Sequence, residues 1–157
     1  MMKRSLLLVL ISVSLTAFLI SGCKSQESSD GGLPPLDSGR SAIGVEVSYD
    51  EFMNQQHVAK EVQITYPGSL LVTLGSNPTT GFQWPENAKI SEGTVLEQVE
   101  HSFIPSAAAG VVGAAGKDVW TFRSLKKGTS AIYFEYGRPW EGGEKAAWTI
   151  TLTVVVE

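Results

Sequence analysis

The feature that most constrains this chain is a hydrophobic period of two. Along residues 148–156, Trp148, Ile150, Leu152, Val154 and Val156 fall on one side of an extended backbone, and Thr149, Thr151 and Thr153 fall on the other. Side chains alternate faces in a strand but return every 3.6 residues in a helix, so this spacing predicts a strand with one buried face. The same parity groups Leu70, Val72 and Leu74, then Trp120 with Phe122, then Ile132, Phe134 and Tyr136. Turn residues break the pattern at short intervals, and no amphipathic helix longer than two turns can be drawn. Some seven or eight such segments predict an all-β chain. Strands buried on one face find their partner surface in a second, stacked sheet.

At 157 residues there is room for one domain with a real core and for additional sequence. The addition lies at the front. A basic start (Lys3, Arg4) precedes an almost wholly apolar run over residues 5–20, and Ile20-Ser21-Gly22-Cys23 fits the lipobox cut by bacterial signal peptidase II. Only 16 residues separate Arg4 from Ser21, short of the roughly 20 that span a bilayer. Residues 1–22 are therefore read as a lipoprotein export signal, with Cys23 as the lipidated residue. Residues 23–41 follow as a tether of Ser, Gly, Pro and Asp with two leucines, a composition that cannot repay its ordering entropy. As a flexible coil its roughly 18 residues reach about 20–25 Å. Residues 42–157 form the folded domain. Lys24 after the cysteine places the lipid-anchored protein in the cell envelope, at the outer membrane if the cell has one, by analogy with known sorting.

Several function classes fall away on composition. Cys23 is the sole cysteine, so the exported domain has no disulfide framework, no thiolate metal site and no cysteine nucleophile. The net charge of −4 becomes −6 once Lys3 and Arg4 leave with the signal, which does not suit a nucleic-acid binder. His57 and His101 lack zinc-ligand spacing, and neither a Ser-His-Asp set nor a carboxylate pair in a cleft can be argued. Gly110, Gly113, Gly116 and Lys117 faintly suggest a phosphate loop, but Val111 and Asp118 occupy positions that such a loop needs otherwise, and no helix follows. No catalyst, metal or cofactor is expected.

Three stretches remain, each where the strand pattern places a loop: Asn77-Pro78-Thr79-Thr80-Gly81-Phe82-Gln83-Trp84, Gly113-Ala114-Ala115-Gly116 and Arg138-Pro139-Trp140-Glu141. Taken singly, the first is any tight turn, stiffened by Pro78 and with Gly81 free to take a positive φ. It is no glycosylation acceptor, because Pro78 holds the forbidden middle position. The second sits in a small, glycine-rich loop over residues 106–116, expected to be the most mobile of the three. Trp140 is either core, as Trp120 and Trp148 are by parity, or a loop-tip anchor. Arg138 either binds a carboxylate on a partner or pairs with Glu141 or Glu144 to hold its own loop, and the structural role is favoured.

In this order the three stretches resemble the chagasin-like inhibitors of papain-type cysteine peptidases, whose NPTTG, GxGG and RPW motifs project from one end of an immunoglobulin-like sandwich. The resemblance runs from about Ile43 to the end. It implies an immunoglobulin-like antiparallel β-sandwich, although the cysteine pair around a tryptophan that marks antibody domains is absent. It implies a monomeric, reversible inhibitor whose loop of Asn77, Pro78, Thr79, Thr80 and Gly81 plugs the cleft of a papain-family peptidase. Gly113, Ala114, Ala115 and Gly116 would flank it on one side, and Arg138, Pro139 and Trp140 on the other. The second motif departs from the family in carrying Ala115 before Gly116, which raises the question of a positive φ there. The competing reading is a non-inhibitory envelope lipoprotein with an immunoglobulin-like protein- or glycan-binding domain. An exported hydrolase is disfavoured by the missing catalytic set.

Overall fold

The computed structural model describes residues 41–106 and 113–157. The proposed export signal, Cys23 and nearly all of the tether lie outside the described residues, as does the middle of the glycine-rich loop. The elements are β1 (Ser41–Val47), α1 (Tyr49–Asn54), β2 (His57–Ile64), β3 (Gly68–Ser76), β4 (Lys89–Ile90), β5 (Leu96–Ile104), β6 (Gly116–Ser124), β7 (Gly128–Tyr136) and β8 (Trp148–Val156). They form two four-stranded sheets, ordered β1-β3-β6-β5 and β2-β8-β7-β4. The first described residue, Ser41, pairs with Gly68.

The predicted parity is the observed one. Leu70, Val72, Leu74, Trp120, Phe122, Ile132, Phe134, Tyr136, Ile150, Leu152 and Val154 are all buried between the sheets. Trp148 is the exception within its strand: it is partly buried, packed on the core at one end rather than inside it.

Most pairings are antiparallel, but β1 joins β3 and β2 joins β8 in parallel. The cause is a single excursion. β1 climbs beside β3, α1 turns over the end where β3 finishes, and β2 descends beside β8 in the other sheet. That crossing is made by one short helix: the Ser48 hydroxyl accepts from Glu51 N at 3.1 Å, and Asp50 and Glu51 sit in its first turn, both of which favour a helix N-terminus.

The register gives the sandwich two unlike ends. β3, β5 and β7 finish, and β6 and β8 start, at one end, which is called the rim; Ser76 pairs with Gly116 and Tyr136 with Trp148 there. β1 begins and β8 finishes at the other, the far end, where Ser41 lies by Gly68 and Val156 by Ile64.

Beneath the rim the core is aromatic. Phe52 of α1, fully buried, meets Tyr49, Trp84 and Tyr136 edge-on at ring separations of 5.1, 5.2 and 5.2 Å and Trp148 at 6.3 Å. Edge-to-face pairs add to the burial energy. Phe52→Ala is therefore expected to lower stability by about 3–5 kcal/mol, read as a urea-denaturation midpoint, because it opens a cavity that four separate elements would have to collapse to fill.

Candidate functional site: a three-loop rim

The three stretches singled out in the sequence lie together at the rim. Loop 1 (residues 77–81) follows β3, loop 2 (residues 105–115) joins β5 to β6, and loop 3 (residues 137–147) joins β7 to β8.

Loop 1 is a single 3₁₀ turn over Pro78–Thr80, closed by Gly81 in the left-handed region at φ 81°. The backbone N–H of Thr80 donates to Asn77 O at 3.1 Å and that of Gly81 to Pro78 O at 3.0 Å. The Thr80 hydroxyl donates to Asn77 O at 2.7 Å, and the Thr79 hydroxyl to Asn77 Oδ1 at 2.6 Å. From below, Tyr136 Oη accepts the Asn77 backbone N–H at 2.9 Å. Burial pushes the Tyr136 phenol above its ordinary range, which favours the neutral hydroxyl beneath the loop. Trp84 follows the loop and ties its indole N–H to Gly75 O at 2.9 Å. What remains exposed is Pro78, Thr79 and Thr80.

Loop 1 grips both neighbours. Asn77 Nδ2 donates to Gly113 O at 3.0 Å, so the part of loop 2 that adjoins β6 is braced. On the other side Trp140 lies against Gly81, where an added Cβ would stand 2.7 Å from the indole Cη2. Gln83 and Gly137 exchange backbone hydrogen bonds at 2.9 and 3.2 Å, which fixes the bases of loops 1 and 3 together.

Loop 3 is organised by cations. The Arg138 guanidinium lies 4.5 Å from the Phe82 ring centroid and 5.8 Å from that of Trp140, within cation–π range of both. Phe82 in turn stacks on Tyr136 at 5.7 Å and meets Trp148 edge-on at 5.3 Å. Arg138 thus packs on rings of its own rim, and among the described residues no ion pair joins it to Glu141 or Glu144. Its backbone N–H donates to Glu144 O at 2.7 Å. Lys145 folds back so that its ammonium donates to Arg138 O at 2.7 Å and to Trp140 O at 2.8 Å. Trp140 stands at the tip, 50% exposed, while Trp120 is wholly buried.

The second motif needs two corrections. Among the described residues Ala146, at φ 49°, is the one non-glycine residue with positive φ; Ala115 therefore takes an ordinary backbone, and the left-handed residue of the motif is Gly113 at φ 85°. Gly116 lies at the rim end of β6 but is a buried strand residue and not part of the exposed loop. It opens β6 where the sequence pattern places the end of the glycine-rich loop, and an added Cβ would stand 2.6 Å from Ile104 O and 2.7 Å from the Phe103 ring. Its glycine is needed for that close approach within the sheet. Gly113 and Ala115 are exposed, and Ala114 is half-buried.

The two histidines are engaged elsewhere. His101 Nε2 lies 2.7 Å from Asp118 Oδ1 with its ring stacked on Trp120, and His57 Nδ1 lies 2.8 Å from Thr149 Oγ1. Sequence reasoning missed three contributors to the rim: Phe52, the Tyr136 hydroxyl and Lys145. No local motif marks them, since each acts on a loop distant in sequence or through a side chain that would pass as solvent-facing.

Comparison with known proteins follows the same geometry. Residues 64–154 match the model of the chagasin family peptidase inhibitor I42. Amoebiasin-2 of Entamoeba histolytica is 27% identical over 100 residues, covering 60% of this chain and 76% of that protein. Chagasin of Trypanosoma cruzi is 34% identical over 73 residues, covering 45% of this chain and 66% of that protein. Among solved structures, the cysteine protease inhibitor EhICP2 of Entamoeba histolytica superposes with a TM-score of 0.58 at 22% identity, over 76% of this chain and all of that one. PbICP-C, solved in complex with falcipain-2, gives 0.51 at 14% identity over 74% and 99%. These two likenesses establish the shared fold.

Gly81→Ala tests the contact between loops 1 and 3. The left-handed backbone alone should cost about 1–2 kcal/mol, and the methyl should displace the Trp140 indole. The expected outcome is a lower denaturation midpoint together with a change in tryptophan emission that disappears when the same substitution is made in a Trp140→Phe background.

Proposed function

The chain belongs to the chagasin family of peptidase inhibitors, and we propose that it blocks papain-type cysteine peptidases reversibly by seating the three-loop rim in their active-site cleft. It is an inhibitor and not an enzyme. The observation that carries the mechanism is the state of loop 1. A papain-type cleft holds an extended substrate so that one carbonyl meets the catalytic cysteine in attack geometry. Loop 1 is a closed 3₁₀ turn whose Asn77 and Pro78 carbonyls and Thr80 and Gly81 N–H groups are bonded to one another, so it offers bulk without a peptide bond presented for attack.

Pro78, Thr79 and Thr80 then fill the centre of the cleft, with the threonines nearest the cysteine. The exposed backbone around Gly113 and Ala115 lies along one side of the groove, where it can pair as an added strand would. Arg138, Pro139 and Trp140 lie on the other, with the Trp140 ring packed on the enzyme and Arg138 holding it from behind. Three contacts on one frame suit a standard interface of about 1,600 Å². Most of their ordering is complete before binding, which favours tight association. The inhibitor acts as a monomer. The reading that it is lipid-anchored at Cys23 in the cell envelope rests on the charged start, the short apolar run and the lipobox.

Titration of papain with a fragment beginning at Ser41 tests the mechanism. Stoichiometric, reversible inhibition with the fragment left intact is expected; steady cleavage within residues 79–81, or no inhibition at micromolar concentration, would overturn it and favour the non-inhibitory binding module. Trp140→Ala should weaken inhibition by about 2 kcal/mol or more with little change in melting temperature, whereas Trp120→Ala should unfold the domain.

For the anchor, Cys23→Ser should abolish incorporation of labelled fatty acid in expressing cells while the purified domain still inhibits.

A further inference from the structure

We infer that Lys145, outside all three motifs, is a positioning residue that pre-sets Trp140 for the peptidase. This rests on the proposal that the rim is the inhibitory surface. The ammonium spans the turn of loop 3, donating to Arg138 O at 2.7 Å and Trp140 O at 2.8 Å. Trp140 O also accepts from the Gly143 N–H at 3.1 Å, and the Arg138 N–H donates to Glu144 O at 2.7 Å. Four bonds therefore close the loop on itself, and the two made by Lys145 alone hold both sides of Pro139. No salt bridge occupies the Lys145 ammonium among the described residues, so these carbonyls are its recorded partners.

The consequence reaches the ring. Trp140 Cη2 lies where a Cβ on Gly81 would come within 2.7 Å, and Trp140 Nε1 lies 3.1 Å from the place of a Cβ on Gly143. Its backbone is pinned by Lys145 while its ring is backed by two glycines and by Arg138. A half-exposed indole would otherwise sample several rotamers and lose that freedom on binding. Charge-assisted bonds to carbonyls are stronger than neutral ones, so a neutral side chain of similar length cannot replace the ammonium. A lysine exposed beside an inhibitory loop would ordinarily be assigned a contact with the enzyme. Here its hydrogen bonds point back into its own loop.

The experiment compares the parent fragment with Lys145→Met, Lys145→Arg, Trp140→Ala and the double variant Trp140→Ala/Lys145→Met. Lys145→Met is expected to raise the papain inhibition constant by about 3–10-fold, the ordering cost of one immobilised side chain, with a melting temperature within about 2 °C of the parent. Lys145→Arg, which keeps a charged donor, should recover most of the loss. In the Trp140→Ala background Lys145→Met should change nothing further. Additive losses in the double variant, or an unchanged inhibition constant in Lys145→Met, would overturn the inference. A readout free of peptidase separates it from the inhibitory reading: in the uncomplexed protein, acrylamide quenching of tryptophan fluorescence should increase in Lys145→Met, and the increase should vanish in a Trp140→Phe background. If the parent fails to inhibit papain, the inhibitory reading falls and the quenching result still decides whether Lys145 holds the ring; equal quenching in parent and variant would show that it does not.

Discussion

The rim depends on the aromatic junction around Phe52. That ring comes from the only α-helix among the described residues and touches Trp84 behind loop 1, Tyr136 before loop 3 and Trp148 after it. A β-sandwich fixes its strands well but leaves its end loops to their own chemistry. Here the end is sealed by rings belonging to the same segments that carry the loops, so their bases inherit the rigidity of the core. The short parallel excursion of β1, α1 and β2 exists in this molecule with a buried side chain at its apex, and the packing of that side chain explains why so short a helix is held.

Hydrogen bonding then transmits that rigidity outward. Tyr136 holds Asn77 by its backbone, and Asn77 spends both side-chain atoms internally, accepting from Thr79 and donating to Gly113 O. The asparagine of loop 1 is thus a brace between loops, while the exposed residues of the three motifs are Pro78, Thr79, Thr80, Gly113, Ala115, Pro139 and Trp140. None of these is charged.

How much of this was legible beforehand follows from the range of each signal. Strand parity is a local property, and Leu70–Leu74, Trp120–Phe122 and Ile132–Tyr136 are buried as their spacing requires. Trp148 obeys the parity but stands at the end of its strand, where one-sided burial gives out. The motif loops could be located because they interrupt that parity. Their interlocking could not, because Asn77 and Gly113 are 36 residues apart and Asn77 and Tyr136 are 59 apart. Gly116 was misplaced for a related reason: a glycine demanded by a neighbouring strand's carbonyl and ring cannot be told from a glycine demanded by a turn until the neighbour is known. For Arg138 the expected partners within the loop were Glu141 and Glu144, since acids nearby in sequence are visible and the phenylalanine on which it packs, Phe82, is not.

The unlike ends of the sandwich bear on how such a domain can be used. β1 begins and β8 finishes at the end away from the rim, and a nine-residue strand separates the two ends by about 30 Å. Ser41 and Glu157, the two ends of the described domain, therefore both lie at the end away from the loops. An attachment made at either of these two positions would thus have the length of the sandwich between it and the rim.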